Sequence, residues 1–241
     1  MSKNISQITV FIDFDGTITL DDVGDELFRH FGAFEPYNSE LKEGKLTIKE
    51  YWNILCDSLP TSLSLEEIEN YAKNFQIDAY FSNFINFCRY NDFKVYIISD
   101  GFDVYIESIL KEYGFDDIPY FANKLIKRAD GGFEPQFTAA SESCNCFCAS
   151  CKRNKLLNLA LPESAIVYIG DGYSDFCAAE HSDIVFAKKN LARYCQQNTI
   201  PHYNFKSFFD IEMILKKAVA SKSIRIRHQA FSKREKAYIN E

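Results

Sequence analysis

The chain has little of what membrane-spanning, secreted or nucleic-acid-binding proteins usually carry. Its N-terminal stretch holds one short apolar run that aspartates interrupt, which is too short and too polar for a signal sequence or a membrane span. Positive charge is not in excess, because the formal net charge is -7, and such a surface does not attract phosphate backbones. We therefore expect a cytoplasmic protein that binds neither membranes nor nucleic acid.

The eight cysteines do not indicate a disulfide scaffold. Such scaffolds are small secreted chains with little apolar core, whereas this chain has 241 residues, of which 46% are hydrophobic, and can bury a sizeable core. Four cysteines lie within one short segment, at Cys144, Cys146, Cys148 and Cys151. They could hold a structural Zn²⁺ ion, but their alternating positions make a tetrahedron hard to close. We favour reduced thiols in a packed loop.

Three segments share one design, an apolar and β-branched run that ends in an acidic residue followed by glycine. They are ITVFIDFDG (8–16), KVYIISDG (94–101) and AIVYIGDG (165–172). Each predicts a buried parallel strand that opens into a tight loop, and helical patterns follow all three. A further strand is predicted over 183–188 and a β-hairpin over 120–137. This alternation is typical of an α/β fold with a Rossmann-like parallel sheet.

The stretch between Asp13 and Ser99 is too long for one crossover helix, because a whole βαβ unit takes roughly 30 residues. It contains several helical patterns, and one of them begins with Ser64 as N-cap and Glu67 three residues later. We therefore expect a small all-helical cap domain, inserted into the α/β core.

The composition changes once more near the C-terminus. After Leu215 the chain is rich in Lys and Arg, which is typical of a solvated terminal segment, and we assign it no function. The predicted divisions are a core formed by 1–20 and 92–220, a helical cap at 21–91, and a basic C-terminal tail or helix at 221–241.

Two carboxylates stand two residues apart directly after the first strand, at Asp13 and Asp15. Both can point into one crevice if the chain turns at once, which Gly16 permits. One carboxylate can attack phosphorus to give an acyl phosphate, while the other donates a proton to the leaving oxygen and later takes one from water. The pair suits a two-step phosphoryl transfer.

Such a transfer needs positive charge, because the ester oxygens and an attacking carboxylate are all negative. Asp171 ends another strand at the same edge and can join Asp13 and the carbonyl of Asp15 as oxygen ligands, which suits Mg²⁺. Asp175 lies four residues on, at the start of a helix, and can support those ligands from behind. The sequence therefore predicts a Mg²⁺ site at this edge.

Groups that can bind phosphate follow the second strand. Ser99 and the backbone amides of Asp100 and Gly101 can donate to phosphate oxygens. A lysine is also needed, and Lys152 and Lys155 begin the helix before the third acidic strand end, from which they can reach the same edge. We prefer Lys152, with Lys155 second.

Together these motifs resemble those of the haloacid dehalogenase superfamily. The matching segments are Asp13-Phe14-Asp15-Gly16-Thr17, Ser99-Asp100-Gly101, Lys152, and Gly170-Asp171-Gly172-Tyr173-Ser174-Asp175. The insert resembles the helical cap of the phosphoserine phosphatase type. The resemblance implies that Asp13 is the nucleophile and Asp15 the general acid and base. It also implies that Ser99 and Lys152 bind phosphate and that Asp171 binds the metal.

The DFDGTIT opening and the cysteine-rich segment before Lys152 resemble the phosphatases of methionine salvage. This resemblance implies a small phosphate ester as substrate, such as 2-hydroxy-3-keto-5-methylthiopentenyl-1-phosphate. Phosphoethanolamine and phosphocholine phosphatases also carry cysteines ahead of their lysine and stay open as alternatives. Phosphoserine phosphatases usually have Glu nine residues after the nucleophile, where this chain has Asp22. Phosphoserine is therefore less favoured, and Asp22 is a candidate for substrate specificity.

Two non-catalytic interpretations compete with a phosphatase. A receiver-like signalling module would carry its phosphorylated aspartate on the third strand of a smaller domain without a cap. A degenerate phosphatase fold would bind phosphate without turnover, and four intact residues argue against it: Asp13, Asp15, Lys152 and Asp171. We therefore expect an enzyme, a phosphoric monoester hydrolase.

Overall fold

A computed structural model of the protein describes residues 7–139, 148–161 and 164–240. Within these residues the chain forms one seven-stranded sheet and eleven α-helices. The strands are β1 (Gln7–Ile12), β2 (Lys94–Phe102), β3 (Tyr120–Lys127), β4 (Phe133–Gln136), β5 (Ser164–Gly170), β6 (Ile184–Ala187) and β7 (Tyr203–Asn204). The helices are α1 (Val23–Phe31), α2 (Tyr37–Lys42), α3 (Ile48–Asp57), α4 (Leu65–Ala72), α5 (Phe81–Tyr90), α6 (Asp103–Glu112), α7 (Lys152–Leu159), α8 (Phe176–Glu180), α9 (Lys189–Gln197), α10 (Phe208–Ala220) and α11 (His228–Asn240).

The strand order across the sheet is β4-β3-β2-β1-β5-β6-β7. All neighbouring strands are parallel except β3 and β4, which form an antiparallel hairpin. The predicted α/β fold with a Rossmann-like parallel sheet is thereby confirmed. The hairpin and the strand predicted over 183–188 are also present, the latter as β6.

The central strands are buried because helices cover both of their faces. Every residue of β5 is buried, and so are the last five residues of β1. Strands in that position need apolar side chains on both faces, which explains their continuous hydrophobic runs. The carboxyl ends of β2, β1 and β5 lie side by side, and this edge carries the candidate site.

Helices α1 to α4 form the helical insertion between β1 and β2 that the sequence predicted. Two of them begin with a capping box, in which the N-cap hydroxyl and a glutamate three residues later satisfy each other's backbone amides. Thr47 pairs with Glu50 at α3, and Ser64 pairs with Glu67 at α4. These caps are local signals for the helix starts, because each joins residues within one helical turn.

The chain enters and leaves this insertion through two paired segments. Thr19 and Ile77 form an antiparallel bridge, and the amide of Asp78 donates to the carbonyl of Ile18 at 2.8 Å. Helix α5 packs on the core, since its Phe81 ring lies 5.0 Å from that of Phe208 in α10. The domain limits drawn at residues 20 and 91 stay predictions, and this packing favours an earlier end of the cap.

The basic C-terminal segment forms helix α11, and it is less solvated than its composition indicates. Ala230 is fully buried and Arg234 is 7% exposed. Arg234 contacts the Asp183 carboxylate at 3.1 Å, and the backbone amide of Arg227 donates to the same carboxylate at 2.9 Å. The segment is therefore held on the core beside β6. No helix within the described residues is long and apolar enough to cross a membrane.

Candidate active site

Lys152 lies at the centre of the candidate site. Its ammonium is 2.5 Å from Asp13 Oδ1 and 2.6 Å from Asp175 Oδ1, and all three side chains are buried. Burial alone would lower the pKa of Lys152, but the two carboxylates raise it above its usual value. The lysine therefore stays charged. Lys155, the second candidate, points elsewhere and lies 4.8 Å from the centre of the Phe121 ring.

Asp13 follows β1 directly and is 5% exposed. Burial and the neighbouring Asp175 raise the pKa of Asp13, while the Lys152 ammonium lowers it. One carboxylate oxygen, Oδ1, accepts hydrogen bonds from Lys152 and from the Phe14 amide at 2.8 Å. A carboxylate fixed by one oxygen in this way can present the other to an electrophile or a metal ion.

The carboxylates of Asp13, Asp171 and Asp175 form the one group of three potential metal ligands within the described ranges. Their ligand atoms lie within 4.8 Å of one another, and all three residues are buried. Three buried carboxylates with one bound lysine leave an excess of negative charge, which a divalent cation would neutralise. The donor set therefore fits a hard divalent cation.

Asp175 is already well supplied with hydrogen bonds. Its Oδ1 accepts from Tyr168 at 2.6 Å as well as from Lys152, and its Oδ2 accepts from the amides of Asp171 and Gly172 at 2.9 Å. These contacts hold the loop after β5 in place. The carboxylates of Asp13 and Asp171 have fewer protein donors, so they are the better placed of the three to bind a cation.

Asp15 stands at the junction between the core and the helical insertion. Its Oδ1 accepts from the amides of Val23 and Gly24 at the start of α1, and its Oδ2 accepts from the Tyr105 hydroxyl at 2.8 Å. Burial raises the pKa of Asp15 to about 7 and the Asp22 carboxylate adds to the rise, whereas Tyr105 lowers it. A carboxyl group with this pKa can both give and take a proton at neutral pH.

The Ser99-Asp100-Gly101 segment also contacts Asp15. The Ser99 hydroxyl is 3.3 Å from Asp15 Oδ2 and accepts a hydrogen bond from the Gly101 amide at 2.9 Å. A β-carbon at Gly101 would lie 1.7 Å from the Tyr105 hydroxyl. Only glycine therefore leaves room for Tyr105 to reach Asp15.

Lys189 is a charged residue of the site that the sequence interpretation missed. Its ammonium lies 2.8 Å from Asp171 Oδ2, and its backbone has a φ of 47°, which is uncommon for a residue other than glycine. Gly16 makes room for this contact, because a β-carbon there would lie 2.7 Å from Asp171 Oδ2 and 2.9 Å from the Lys189 ammonium. The only available signal was a lysine pair directly after a parallel strand.

The insertion contributes a wall to the site around Gly24. A β-carbon there would lie 3.2 Å from the Tyr105 hydroxyl, 3.5 Å from Asp22 Oδ1 and 3.8 Å from the Trp52 ring. Trp52 packs edge-on against Phe102 at the end of β2, with 5.0 Å between ring centres. Asp22 also caps α1 by accepting from the Asp25 amide at 2.9 Å. Acidic and aromatic side chains thus lie around Gly24, whose amide, together with that of Val23, donates to Asp15.

The cysteine cluster is described only in part. Cys144 and Cys146 lie outside the described residues, and so does part of the loop for which a structural Zn²⁺ ion was weighed against reduced thiols. Cys148 is half-buried and Cys151 is buried directly before α7.

Comparison with known proteins agrees with this geometry. Residues 10–180 match the family model described as haloacid dehalogenase-like hydrolase. The chain is 32% identical over 228 residues to Pdp3-interacting factor 1 of Schizosaccharomyces pombe, covering 88% of this chain and 96% of that protein. It is 28% identical over 217 residues to the 2-hydroxy-3-keto-5-methylthiopentenyl-1-phosphate phosphatase of Brevibacillus brevis, covering 89% of this chain and 96% of that protein.

The fold is similar to that of solved phosphoserine phosphatases with their helical cap. A phospho-aspartyl intermediate analogue of phosphoserine phosphatase superposes with a TM-score of 0.65 and 22% identity, covering 88% of this chain and 98% of that one. At this identity the likeness establishes the fold alone. The family match covers most of the chain, and its range includes the buried carboxylates and the lysine described above. The chain belongs to the haloacid dehalogenase-like hydrolases and is a phosphatase of that family.

Proposed function

We propose that the protein is a Mg²⁺-dependent phosphatase that hydrolyses a small phosphate monoester through a phosphorylated Asp13. The observation that carries the proposal is the buried contact of Asp13 with Lys152, beside the carboxylate of Asp171. A nucleophile, a cation that binds phosphate, a candidate metal ligand and a proton donor meet at one edge of the sheet. The proposal gives each of these groups one task.

In the first step the Asp13 carboxylate attacks phosphorus and the leaving oxygen takes a proton from Asp15. Lys152 and the Ser99 hydroxyl hold the transferred phosphoryl oxygens. In the second step Asp15, now ionised, takes a proton from water, which attacks the aspartyl phosphate and restores Asp13. A pKa of about 7 for Asp15 suits both duties near neutral pH.

A Mg²⁺ ion bound by Asp13, Asp171 and the Asp15 carbonyl would supply the charge neutralisation that phosphoryl transfer requires. Asp175 would act behind these ligands. It fixes the amides of Asp171 and Gly172 and orients Lys152. The chain's own residues then need only position the ester and move one proton.

For the substrate we propose 2-hydroxy-3-keto-5-methylthiopentenyl-1-phosphate or a closely related metabolite. Several relatives near 29% identity carry that phosphatase name. The wall around Gly24 includes the Trp52 ring. Aromatic rings make favourable contacts with a thioether sulfur, such as that of this substrate. A cytoplasmic location also stays our expectation.

A second candidate is an ester of an amino alcohol, such as phosphoethanolamine or phosphocholine. The observation in its favour is the pair Asp22 and Asp25 at the start of α1, where burial and Asp22 raise the pKa of Asp25 to about 7. Such a pair would gain from a neighbouring ammonium group, and Trp52 could add a cation–π contact. Phosphoserine is less favoured, since its own carboxylate would meet the same acidic wall.

An assay of phosphate release distinguishes the candidate substrates. It compares the methylthiopentenyl phosphate, phosphoethanolamine, phosphocholine and phosphoserine, with and without Mg²⁺. We expect the highest kcat/KM for the first. The matched variant is Asp22→Asn, which should lower kcat/KM for an ammonium ester more than for an ester with an uncharged leaving group. Its effect through the pKa of Asp15 is common to all the esters and cancels in that ratio. If phosphocholine or phosphoethanolamine is preferred and Asp22→Asn abolishes the preference, the second candidate replaces the first. Failure to hydrolyse any of them, or p-nitrophenyl phosphate, would contradict the proposed catalysis.

A further inference from the structure

Cys148 and Cys151 form a C-x2-C pair directly before helix α7. The Cys148 thiol lies within hydrogen-bonding reach of the Cys151 sulfur. Cys151 is the N-cap residue of α7. Two cysteines in a C-x2-C loop at a helix start are arranged for reversible thiol chemistry, because the helix end favours a thiolate.

The two thiols differ in character. The Cys148 thiol lowers the pKa of Cys151 to about 6, and the amides of Asn154 and Arg153 add to this effect. The same hydrogen bond, together with burial, raises the pKa of Cys148. Because Cys151 also stands at the N-terminus of α7, where the helix end favours a thiolate, we take Cys151 as the nucleophilic partner.

The loop between the two cysteines is tied to the active site. The amides of Ala149 and Ser150 both donate to the Asp100 carboxylate, at 3.0 and 2.7 Å. Asp100 follows Ser99 in the phosphate-binding segment, and Lys152 follows Cys151 as the first residue of α7. Any movement of the cysteine loop is therefore passed to both sides of the phosphate site.

We propose that Cys148 and Cys151 are a peroxide-sensitive dithiol whose disulfide slows the phosphatase. The disulfide would shorten the separation of the two sulfur atoms to about 2.05 Å, well inside hydrogen-bond distance. The loop must move to allow this, and Asp100 and Lys152 move with it. The inhibitory part of this inference rests on the proposed function, whereas the disulfide itself does not.

The chemistry needs hydrogen peroxide as oxidant. The Cys151 thiolate attacks one peroxide oxygen, the O–O bond breaks, and the products are Cys151 sulfenic acid and hydroxide. The sulfur of Cys148 then attacks the Cys151 sulfur, its thiol proton joins the departing hydroxyl group, and water leaves as the disulfide forms. The hydroxide takes up the proton that Cys151 released on ionisation, so peroxide is reduced to two waters overall and the two thiols are oxidised. A dithiol reagent reverses the reaction.

The route that we propose for peroxide to Cys151 is a small pocket beside the phosphate site. Its lining includes Ser99, Cys151 and Lys152. Cys177 is a rival partner, because it lies near both cysteines. It lies on α8 rather than on the loop, so a bond to it would not close the C-x2-C loop.

The test treats the full chain with hydrogen peroxide and follows two readouts, the intact and peptide masses of the protein and its hydrolysis of p-nitrophenyl phosphate. The variants are Cys148→Ser, Cys151→Ser and Cys177→Ser. Serine at position 151 keeps a good helix N-cap. We expect the wild type and Cys177→Ser to lose two hydrogen atoms and about 10- to 100-fold in activity, since a shift of about 1 Å in a site can cost that much. Dithiothreitol should restore both.

The two single substitutions in the C-x2-C pair give the most decisive outcomes. Cys148→Ser should accumulate a Cys151 sulfenic acid that dimedone traps, and Cys151→Ser should keep its activity under peroxide. The proposal is overturned if Cys151→Ser is inactivated as fast as the wild type, if the disulfide forms with no change in activity, or if the purified protein holds one zinc ion that shields these thiols. If peroxide causes no loss of two hydrogen atoms in the wild type, the disulfide proposal is wrong, whereas the proposed phosphatase function is not affected.

Discussion

The Tyr105 hydroxyl donates a hydrogen bond of 2.8 Å to Asp15 Oδ2. It joins helix α6 to the residue that we propose as general acid and base. Tyr105 is fully buried, and burial together with Asp15 raises the pKa of its hydroxyl well above the usual range. The tyrosine is therefore a permanent donor, which stabilises the ionised form of Asp15.

Tyr105→Phe should slow the enzyme and shift its pH dependence. Loss of the donor raises the pKa of Asp15 further above 7, so less of it is ionised at neutral pH and the dephosphorylation step slows. We expect the acidic limb of the kcat profile to move to higher pH and kcat at pH 7 to fall by about tenfold. Tyr113→Phe, whose hydroxyl contacts the Phe75 carbonyl away from the site, is the control. If the pH profile of kcat in Tyr105→Phe is that of the wild type, Tyr105 does not set the pKa of the catalytic acid and base.

Lys152→Met should abolish turnover and destabilise the fold. The buried carboxylates of Asp13 and Asp175 lose their counter-charge, which typically costs about 3–5 kcal/mol. Burial already raises the pKa of Asp13, and without the ammonium it rises further. The carboxyl groups of the variant therefore take up protons as the pH falls. The loss in free energy of unfolding, relative to the wild type, should be smaller at pH 5 than at pH 8.

Urea unfolding at the two pH values measures this difference. Lys155→Met is the matched control, because Lys155 makes a cation–π contact with Phe121 rather than a buried ion pair. Its cost should stay within about 1 kcal/mol. Equal destabilisation by the two substitutions would contradict the central position of Lys152.

Asp171→Asn and Lys189→Met should change the metal requirement in opposite directions. Asp171 is a proposed ligand, so its loss should raise the Mg²⁺ concentration for half-maximal activity by about tenfold or more. Lys189 binds the same carboxylate at 2.8 Å and competes with the cation, so its removal should lower that concentration. Titration of activity with Mg²⁺ after chelation checks both. A shift in the same direction for both would place the cation elsewhere.

Gly101→Ala should cost activity more than stability. Its new methyl group would collide with the Tyr105 hydroxyl and lie 2.7 Å from Asp15 Oδ2, which displaces the proton donor. Gly114→Ala is the contrasting variant, because that position has open space but a φ of 73°. It should lower the free energy of unfolding by about 1 kcal/mol and leave kcat unchanged. If Gly101→Ala also lowers the free energy of unfolding and leaves kcat unchanged, the contact of Tyr105 with Asp15 is not needed for turnover.

The sheet and most of the site could be predicted because their signals are local. The apolar strands end in Asp-Gly or Ser-Asp-Gly, and parallel strands bring such ends to one edge. Capping residues such as Ser64 and Glu67 likewise act within one helical turn. Lys152 could be ranked above Lys155 as a candidate, and only Lys152 reaches Asp13.

The rest depends on contacts between elements far apart in the chain. Tyr105 lies in the middle of α6, where its sequence position is that of an ordinary core aromatic. Lys189 reaches Asp171 only because Gly16 leaves space beside it. Arg234 looks like part of a solvated basic run, yet it joins the C-terminal helix α11 to Asp183 in the core. No local pattern records such pairings.

The most direct test of the account is a search for the phosphorylated enzyme in Asp15→Asn. An aryl phosphate needs little protonation of its leaving group, so Asp13 should still be phosphorylated, while dephosphorylation lacks its base and becomes limiting. After incubation with p-nitrophenyl phosphate and Mg²⁺ and an acid quench, the intact protein should gain the mass of one phosphoryl group, mapped to the peptide that contains Asp13. The double variant with Asp13→Asn should show no gain. An Asp15→Asn enzyme that carries no adduct and hydrolyses the aryl phosphate at the wild-type rate would contradict the account.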